Sequence, residues 1–413
     1  MKILHVIAQL PERTGSGVYY RNLVHSLSEL GHQNGLVYAI QEPFNHDIQK
    51  DFVFPVQFLS ENIPFPIAGM SDVMPYSNTV YSELTESQIA IWSDAFKKQL
   101  NNAKDTFKPD LVICHHLWYL CQITLDIFSD CPVVAISHST DIRQAKRFPQ
   151  LKERYVPDLS SLSAVFALSY ENMADIQEVY QIDPKKIHVM GNGYNPEIFY
   201  ANKKKTRSPQ DPIKLIYAGK LVHSKGVFQL AQIYPSLKKK YPQIELHMIG
   251  MGEKAAKSQL HELACSSDIE GFFQYDPMPL QEDLADFMRQ ADIFILPSFY
   301  EGLPTIVLEA MACGLRTVVS QLPALHGLLE STLNSTGMIE YVPLPQLINQ
   351  DQPVEADLPQ FNQQLQLAIE KQIQRIQSNN PIASSTWEAI QAFSWPQLVQ
   401  KEAKVLEEIL SYR

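Results

Sequence analysis

The chain has 413 residues, a formal charge of −11, and apolar side chains at 45% of its positions. That length exceeds one ordinary domain and suits two of near-equal size, each able to bury its own core. The acidity argues against wholesale nucleic-acid binding, which needs a basic surface. Five scattered cysteines without paired metal-ligand spacing predict reduced thiols in a cytosolic setting.

Ile3–Ala8 is an apolar run that predicts a buried strand and is too short for the apolar core of a leader peptide. No stretch approaches eighteen apolar residues, so a cytoplasmic chain is expected, touching a membrane only peripherally. Gly15 and Gly17 follow the first strand. Val18, Leu23, Leu27 and Leu30 then recur near helical spacing until Gly31. Leu36–Ile40 predicts the next strand. Residues 55–85 carry four prolines and no helical period, which predicts a long unstructured loop. Beyond it come a helix over Gln88–Thr106, strands at Asp110–Cys114, Pro132–Ser137 and Ala164–Leu168, a helix over Glu171–Val179, and a strand from Ile187. This alternation predicts a parallel sheet with helices on both faces.

Between the second and third of those last strands lies a basic segment, 143–154, holding Arg143, Lys146, Arg147, Lys152 and Arg154. It is either a solvated surface or a site for an anionic acceptor or lipid headgroups. The alternation breaks across residues 191–212, where a lysine run at 203–205 marks a boundary. It resumes with strands near 214–220, 244–250, 270–274, Asp292–Pro297 and Thr317–Ser320. Helices are predicted from Gly226, over Lys254–Ala264 and near Leu280–Arg289. Residues 340–385 are Gln- and Asn-rich and poorly patterned, and a last helix covers Trp395–Leu410. The domains are therefore expected at 1–195 and 205–390.

The richest stretch is 292–320. Glu301 lies in the loop after a strand, and Glu309, eight residues on, lies in the following helix. Pro304 suits a helix start, and the N–H groups of Gly302 and Leu303 are offered to an anion there. Lys220 and Lys225 follow the strand near 214–220, five residues apart, and both reach the carboxyl edge where open α/β sheets bind ligands. Each residue also has an ordinary reading. A Glu near a helix start favours the dipole, and lysines at strand ends are common surface groups. Gly250 and Gly252 let backbone approach a ligand or simply form a turn. Gly15-x-Gly17 lacks the third glycine of a dinucleotide fingerprint. His138 ends a strand, as do His115 and His116, with Trp118 just beyond; these could line a pocket or pack as a cluster.

The string EGLPTIVLEAMACG, Glu301 to Gly314, resembles the E-x7-E signature of retaining glycosyltransferases of the GT-B fold, family 4 in particular. The resemblance extends over nearly the whole chain, strongest from Leu215 to Val319 and weakest over 41–90 and 330–390. It implies an α/β architecture of two Rossmann-like doubly wound domains facing a cleft, with residues 394–413 returning to the first domain. It also implies a nucleotide-sugar donor, a UDP-sugar by preference, and a sugar, lipid-linked or protein acceptor. Glu309 would hold the ribose and Glu301 the transferred sugar, joined by His138. Lys220, Lys225 and the amides of Gly302, Leu303 and the neighbours of Pro304 would hold the diphosphate, without cofactor or metal. Gly15 and Gly17 would face the donor phosphates, Gly250 and Gly252 would admit the donor, and Phe273 would frame the base. Glu301, His138 and Lys225 are the expected catalytic set, acting by front-face substitution. One departure is Lys220, where the family carries Arg; Lys brings a point charge without the planar fork. That departure keeps open a non-transferring assembly partner that only binds sugar nucleotide. An epimerase or phosphorylase of the same fold fits less well.

Overall fold

The structure is a computed structural model that describes residues 1–11, 14–44, 48, 51–72, 74–202, 208, 210–265, 269–329, 332–349 and 351–411. The lysine run at 203–205 lies outside the described residues. The chain divides into two compact units, Met1–Asn192 with Trp395–Arg413, and Gly193–Ser394.

Unit 1 is built on seven parallel strands: β1 (Lys2–Ile7), β2 (Gln33–Ile40), β3 (Val53–Gln57), β4 (Leu111–His115), β5 (Val133–Ile136), β6 (Ala164–Ala167) and β7 (Ile187–Val189). Their order is β3-β2-β1-β4-β5-β6-β7. Strands β4 to β6 read as unbroken apolar runs because helices cover both faces. The helices are α1 (Gly15–Glu29), α2 (Glu86–Thr106), α3 (Tyr119–Ile127), α4 (Thr140–Arg147), α5 (Pro149–Tyr155) and α6 (Tyr170–Tyr180). Connectivity reverses between β1 and β4, leaving a crevice at their carboxyl ends.

Unit 2 repeats the plan with six parallel strands: β8 (Ile213–Ala218), β9 (Ile244–Ile249), β10 (Phe272–Tyr275), β11 (Ile293–Leu296), β12 (Arg316–Ser320) and β13 (Ile339–Val342). The order is β10-β9-β8-β11-β12-β13, so the reversal falls between β8 and β11. Its helices include α7 (Val227–Lys240), α8 (Lys254–Ala264), α9 (Gln281–Gln290), α10 (Thr305–Ala312), α11 (Pro323–Leu329), α12 (Leu358–Gln377) and α13 (Ser384–Gln391). The last helix, α14 (Trp395–Ser411), belongs to unit 1 and packs on α1.

Two expectations about order need correction. The run 55–85 starts within β3, holds a short strand pair, Ala68–Gly69 with Thr79–Val80, and is otherwise packed loop: Phe58, Ile63, Phe65, Ile67, Met70, Tyr76 and Tyr81 are all buried in the unit 1 core. Its apolar residues do not follow a period because irregular backbone delivers them. Residues 340–385 hold the twenty-residue α12. There Phe361, Leu365, Ala368, Ile369 and Ile373 form a stripe at helical spacing, and the intervening glutamines are good helix formers. Among the described residues no helix is long and apolar enough to cross a membrane.

Candidate functional site

In unit 2 the loops after β8 and β11, the two strands flanking the reversal, are joined by a backbone hydrogen bond. Phe299 N–H donates to the Ser224 carbonyl at 2.9 Å. That bond brings together two side chains 76 residues apart in sequence: Lys225 Nζ lies 2.6 Å from Glu301 Oε2, each side chain about one-fifth exposed. Ser298, fully buried, donates to Glu301 Oε1 at 2.9 Å, so the carboxylate is held at both oxygens. Ser298 went unnoticed in sequence because a strand-end serine is unremarked without its partner. Gly226 makes this turn feasible. Its φ is +64°, and a Cβ there would lie 2.0 Å from the Pro297 carbonyl oxygen.

Glu309 lies half-buried in α10, without a cation partner among the described residues. Burial pushes its carboxyl up to about 7. Pro304 occupies the N-cap of α10 and supplies no side-chain cap. The N–H groups of Gly302 and Leu303 donate to no protein acceptor among the described residues, and a Cβ on Gly302 would meet open space. Lys220 is exposed and without a carboxylate partner among the described residues, while its carbonyl accepts the Tyr217 hydroxyl at 2.7 Å. The arrangement offers two lysines, free amides and a half-buried carboxyl to a ligand both anionic and hydroxyl-rich.

Beside it lies a cavity of about 390 Å³, lined mainly by apolar groups from the ends of β8 and β9 and the segment 277–284, with Ile306 of α10. Lys220 and Gly250 line it too. The absence of a side chain at Gly250 is demanded first by the fold: a Cβ would stand 1.7 Å from the Gly219 carbonyl oxygen. Its N–H is already engaged by the Tyr275 carbonyl at 3.0 Å. A Cβ on Gly252 would likewise press on Leu221 at 2.7 Å. The ring of Phe273 stacks on His247, centroids 4.8 Å apart, and is not part of the cavity wall. Met278 and Leu280 are, and sequence reasoning missed them; the Pro277-Met278-Pro279 run just past a strand is the signal that could have found them.

In unit 1 the corresponding edge is aromatic. His138 Nε2 lies 3.1 Å from His115 Nδ1, their rings stacked at 11°. His116 flanks them with φ +73° and both ring nitrogens buried without a partner. Burial first, then neighbouring imidazoles, hold His138 and His115 well below the usual histidine range, and burial lowers His116. Asp141 anchors this corner by accepting from Leu117 N–H at 2.8 Å and Ser137 Oγ at 3.0 Å. Gly15 and Gly17 form the first turn of α1. The Gly17 N–H donates to Thr14 Oγ1 at 3.0 Å and is therefore occupied, whereas a Cβ on Gly15 would meet nothing within 4 Å. Trp118 is buried against Tyr81 and Tyr119 as part of the core.

The basic segment is largely neutralised within unit 1. Lys146 pairs with Asp175 and Glu178, Arg147 with Asp72, and Arg154 with Glu86. Arg143 has no ion pair among the described residues.

Two family models match adjoining parts of the chain: Glycosyltransferase Family 4 over residues 13–198 and Glycosyl transferases group 1 over residues 199–346. The amylovoran biosynthesis glycosyltransferase AmsK of Erwinia amylovora is 30% identical over 156 residues, covering 36% of this chain and 37% of that protein. The chain spans less than half the length of the first curated relatives it matches. Among solved structures, sucrose-phosphate synthase from Thermosynechococcus elongatus superposes with a TM-score of 0.68 at 16% identity, covering 100% of this chain and 99% of that one. Anabaena HepE in complex with UDP and glucose gives 0.60 at 15% identity, covering 99% and 100%. At such identities the likeness shows the fold.

Proposed function

The chain belongs to the glycosyltransferases of the GT-B fold, and from that premise we propose that it transfers a sugar from a nucleoside-diphosphate donor to a hydroxyl acceptor. A UDP-sugar is the donor we favour, since a structural neighbour carries UDP, and polysaccharide biosynthesis is the setting, as in the name of a relative. The observation that carries the reading is the Lys225–Glu301 pair, set beside free amides, a half-buried Glu309 and an apolar cavity. Each part meets one part of the donor. The cavity takes the base, and Glu309 accepts from ribose hydroxyls. Lys220, Lys225 and the amides of Gly302 and Leu303 balance the diphosphate, and Glu301 accepts from hydroxyls of the sugar.

We further propose retention of anomeric configuration. The bond from the anomeric carbon to the phosphate oxygen breaks while the acceptor oxygen bonds to the same face. The acceptor proton passes to the departing phosphate, and the charge that develops there is stabilised by Lys220, Lys225 and the loop amides. Because the lysines and amides already supply positive charge at the diphosphate, the step proceeds without a divalent cation. His138, neutral at pH 7, would act as a hydrogen-bonding group at the sugar and not as a cation. Lys225 must then divide its charge between Glu301 and phosphate, so donor binding loosens an ion pair as it forms a new one.

Incubation with UDP-, GDP- and ADP-sugars, with release of nucleotide as readout and product stereochemistry by NMR, tests this. Release with retained configuration is expected. Inverted product overturns retention, and binding without release turns the reading to the non-transferring partner.

A further inference from the structure

The apolar stripe by which α14 docks on unit 1, Trp395, Leu398, Val399, Ala403 and Leu406, is interrupted by one fully buried carboxyl, Glu402. A carboxyl in such a stripe is unfavourable unless it is partnered, and an apolar residue would dock the helix at least as well. Its hydrogen-bond partner among the described residues is the hydroxyl of Tyr19 on α1, which donates to Glu402 Oε1; Oε2 is buried and without a partner. No lysine or arginine of the described residues pairs with it. Burial pushes Glu402 up to about 8 and holds the Tyr19 hydroxyl well above its ordinary range, so at neutral pH both keep their protons. The ring of Tyr19 stands between this helix and the strand-end histidines. It meets Trp395 edge-on at 4.8 Å, His138 at 5.3 Å and His115 at 6.1 Å, with interplanar angles of 88°, 81° and 72°.

We propose that Glu402 is a positioning residue: it anchors the Tyr19 hydroxyl, and the anchored ring fixes the imidazole plane of His138 and its bond to His115. The C-terminal helix thereby sets the orientation of a histidine at the carboxyl edge of unit 1. The consequence for catalysis rests on the reading above, in which His138 meets the donor sugar; the coupling itself does not.

The test uses the full chain labelled with 15N-histidine, His138 being assigned by the signals lost in His138→Gln. The wild type is expected to show one tautomer for His138. Tyr19→Phe, which lacks one oxygen, and Glu402→Leu should both replace that pattern with a tautomer average. Glu402→Gln, whose amide carbonyl still accepts the hydroxyl, should keep the single tautomer. With UDP-glucose as probe donor, kcat for nucleotide release should fall about tenfold in Tyr19→Phe at unchanged KM and stay at the wild-type level in Glu402→Gln. Unchanged His138 signals in Tyr19→Phe overturn the proposal, as does equal loss in Glu402→Gln and Glu402→Leu. Should Glu402→Leu fail to fold, Tyr19→Phe decides. If the wild type releases no nucleotide from any donor, the proposed function fails while the nitrogen signals still judge the coupling.

Discussion

The two carboxyl edges of this molecule share a topology and differ in electrostatics. In unit 2 the edge carries Lys225, Glu301 and an exposed Lys220, next to the N–H groups of Gly302 and Leu303, which donate to no protein acceptor among the described residues. In unit 1 it carries three imidazoles and a phenol whose burial keeps them neutral. The same reversal of strand order thus builds one edge that carries a lysine–glutamate pair and another whose imidazoles and phenol are uncharged. Desolvation decides which: a charged group survives at a sheet edge only where it keeps a partner or water.

The largest effect should come from the backbone that holds the charged edge together. Gly226→Ala places a Cβ 2.0 Å from the Pro297 carbonyl at a φ of +64°. About 3 kcal/mol of stability should be lost, seen as a Tm lower by roughly 10 °C, and an unchanged Tm would contradict the turn geometry. Next, Lys225→Ala should weaken UDP binding by about 2–3 kcal/mol, since Glu301 loses its partner as well as the phosphate its cation. Titration calorimetry checks this. In the same titration His138→Ala should change UDP affinity by less than about 0.5 kcal/mol. Equal losses would erase the distinction between the edges.

Glu309 sharpens the comparison through pH. Its value in the folded protein, about 7, lies above the ordinary 4.5, so folding takes up a proton between those two pH values. Stability attributable to it therefore falls as pH rises from about 4.5 to about 7 and stays low above that. Because the side chain keeps some contact with water, Glu309→Gln should stabilise by only about 1 kcal/mol at pH 8. At pH 4.5 the gain should vanish, and urea unfolding at the two pH values reads it. The same variant should bind UDP more weakly, a stability–function opposition expected of a ligand-holding carboxyl. The smallest effect is expected from chelation. EDTA should leave nucleotide release unchanged, and activity that disappears and returns with Mg²⁺ would defeat the metal-independent step.

Much of the fold was legible because strands buried on both faces read as apolar runs, and α7 to α10 carry clear boundaries. The helix α12 was missed: its buried residues stand at spacings of three and four, but its glutamine content disguised it as irregular. The packed segment 58–85 was not legible, since largely irregular backbone buries side chains without periodicity. The site shows the same split. Glu301 and Glu309 stand in one short motif, and Lys225 follows a recognisable strand. Ser298 beneath Glu301, the cavity wall at 277–284 and the displacement of Phe273 onto His247 depend on which loops the sheet sets side by side.

By itself, the sequence determined two doubly wound units, the strand ends that carry function, and the residue types offered there, because each follows from local apolar periodicity and a short motif. Only the tertiary structure decided that Lys225 meets Glu301, that Gly250 answers to the Gly219 carbonyl, and that Glu402 lies buried against Tyr19, 383 residues away in sequence. Burial and partnership set charge state and orientation, and both are properties of contacts that chain order does not contain.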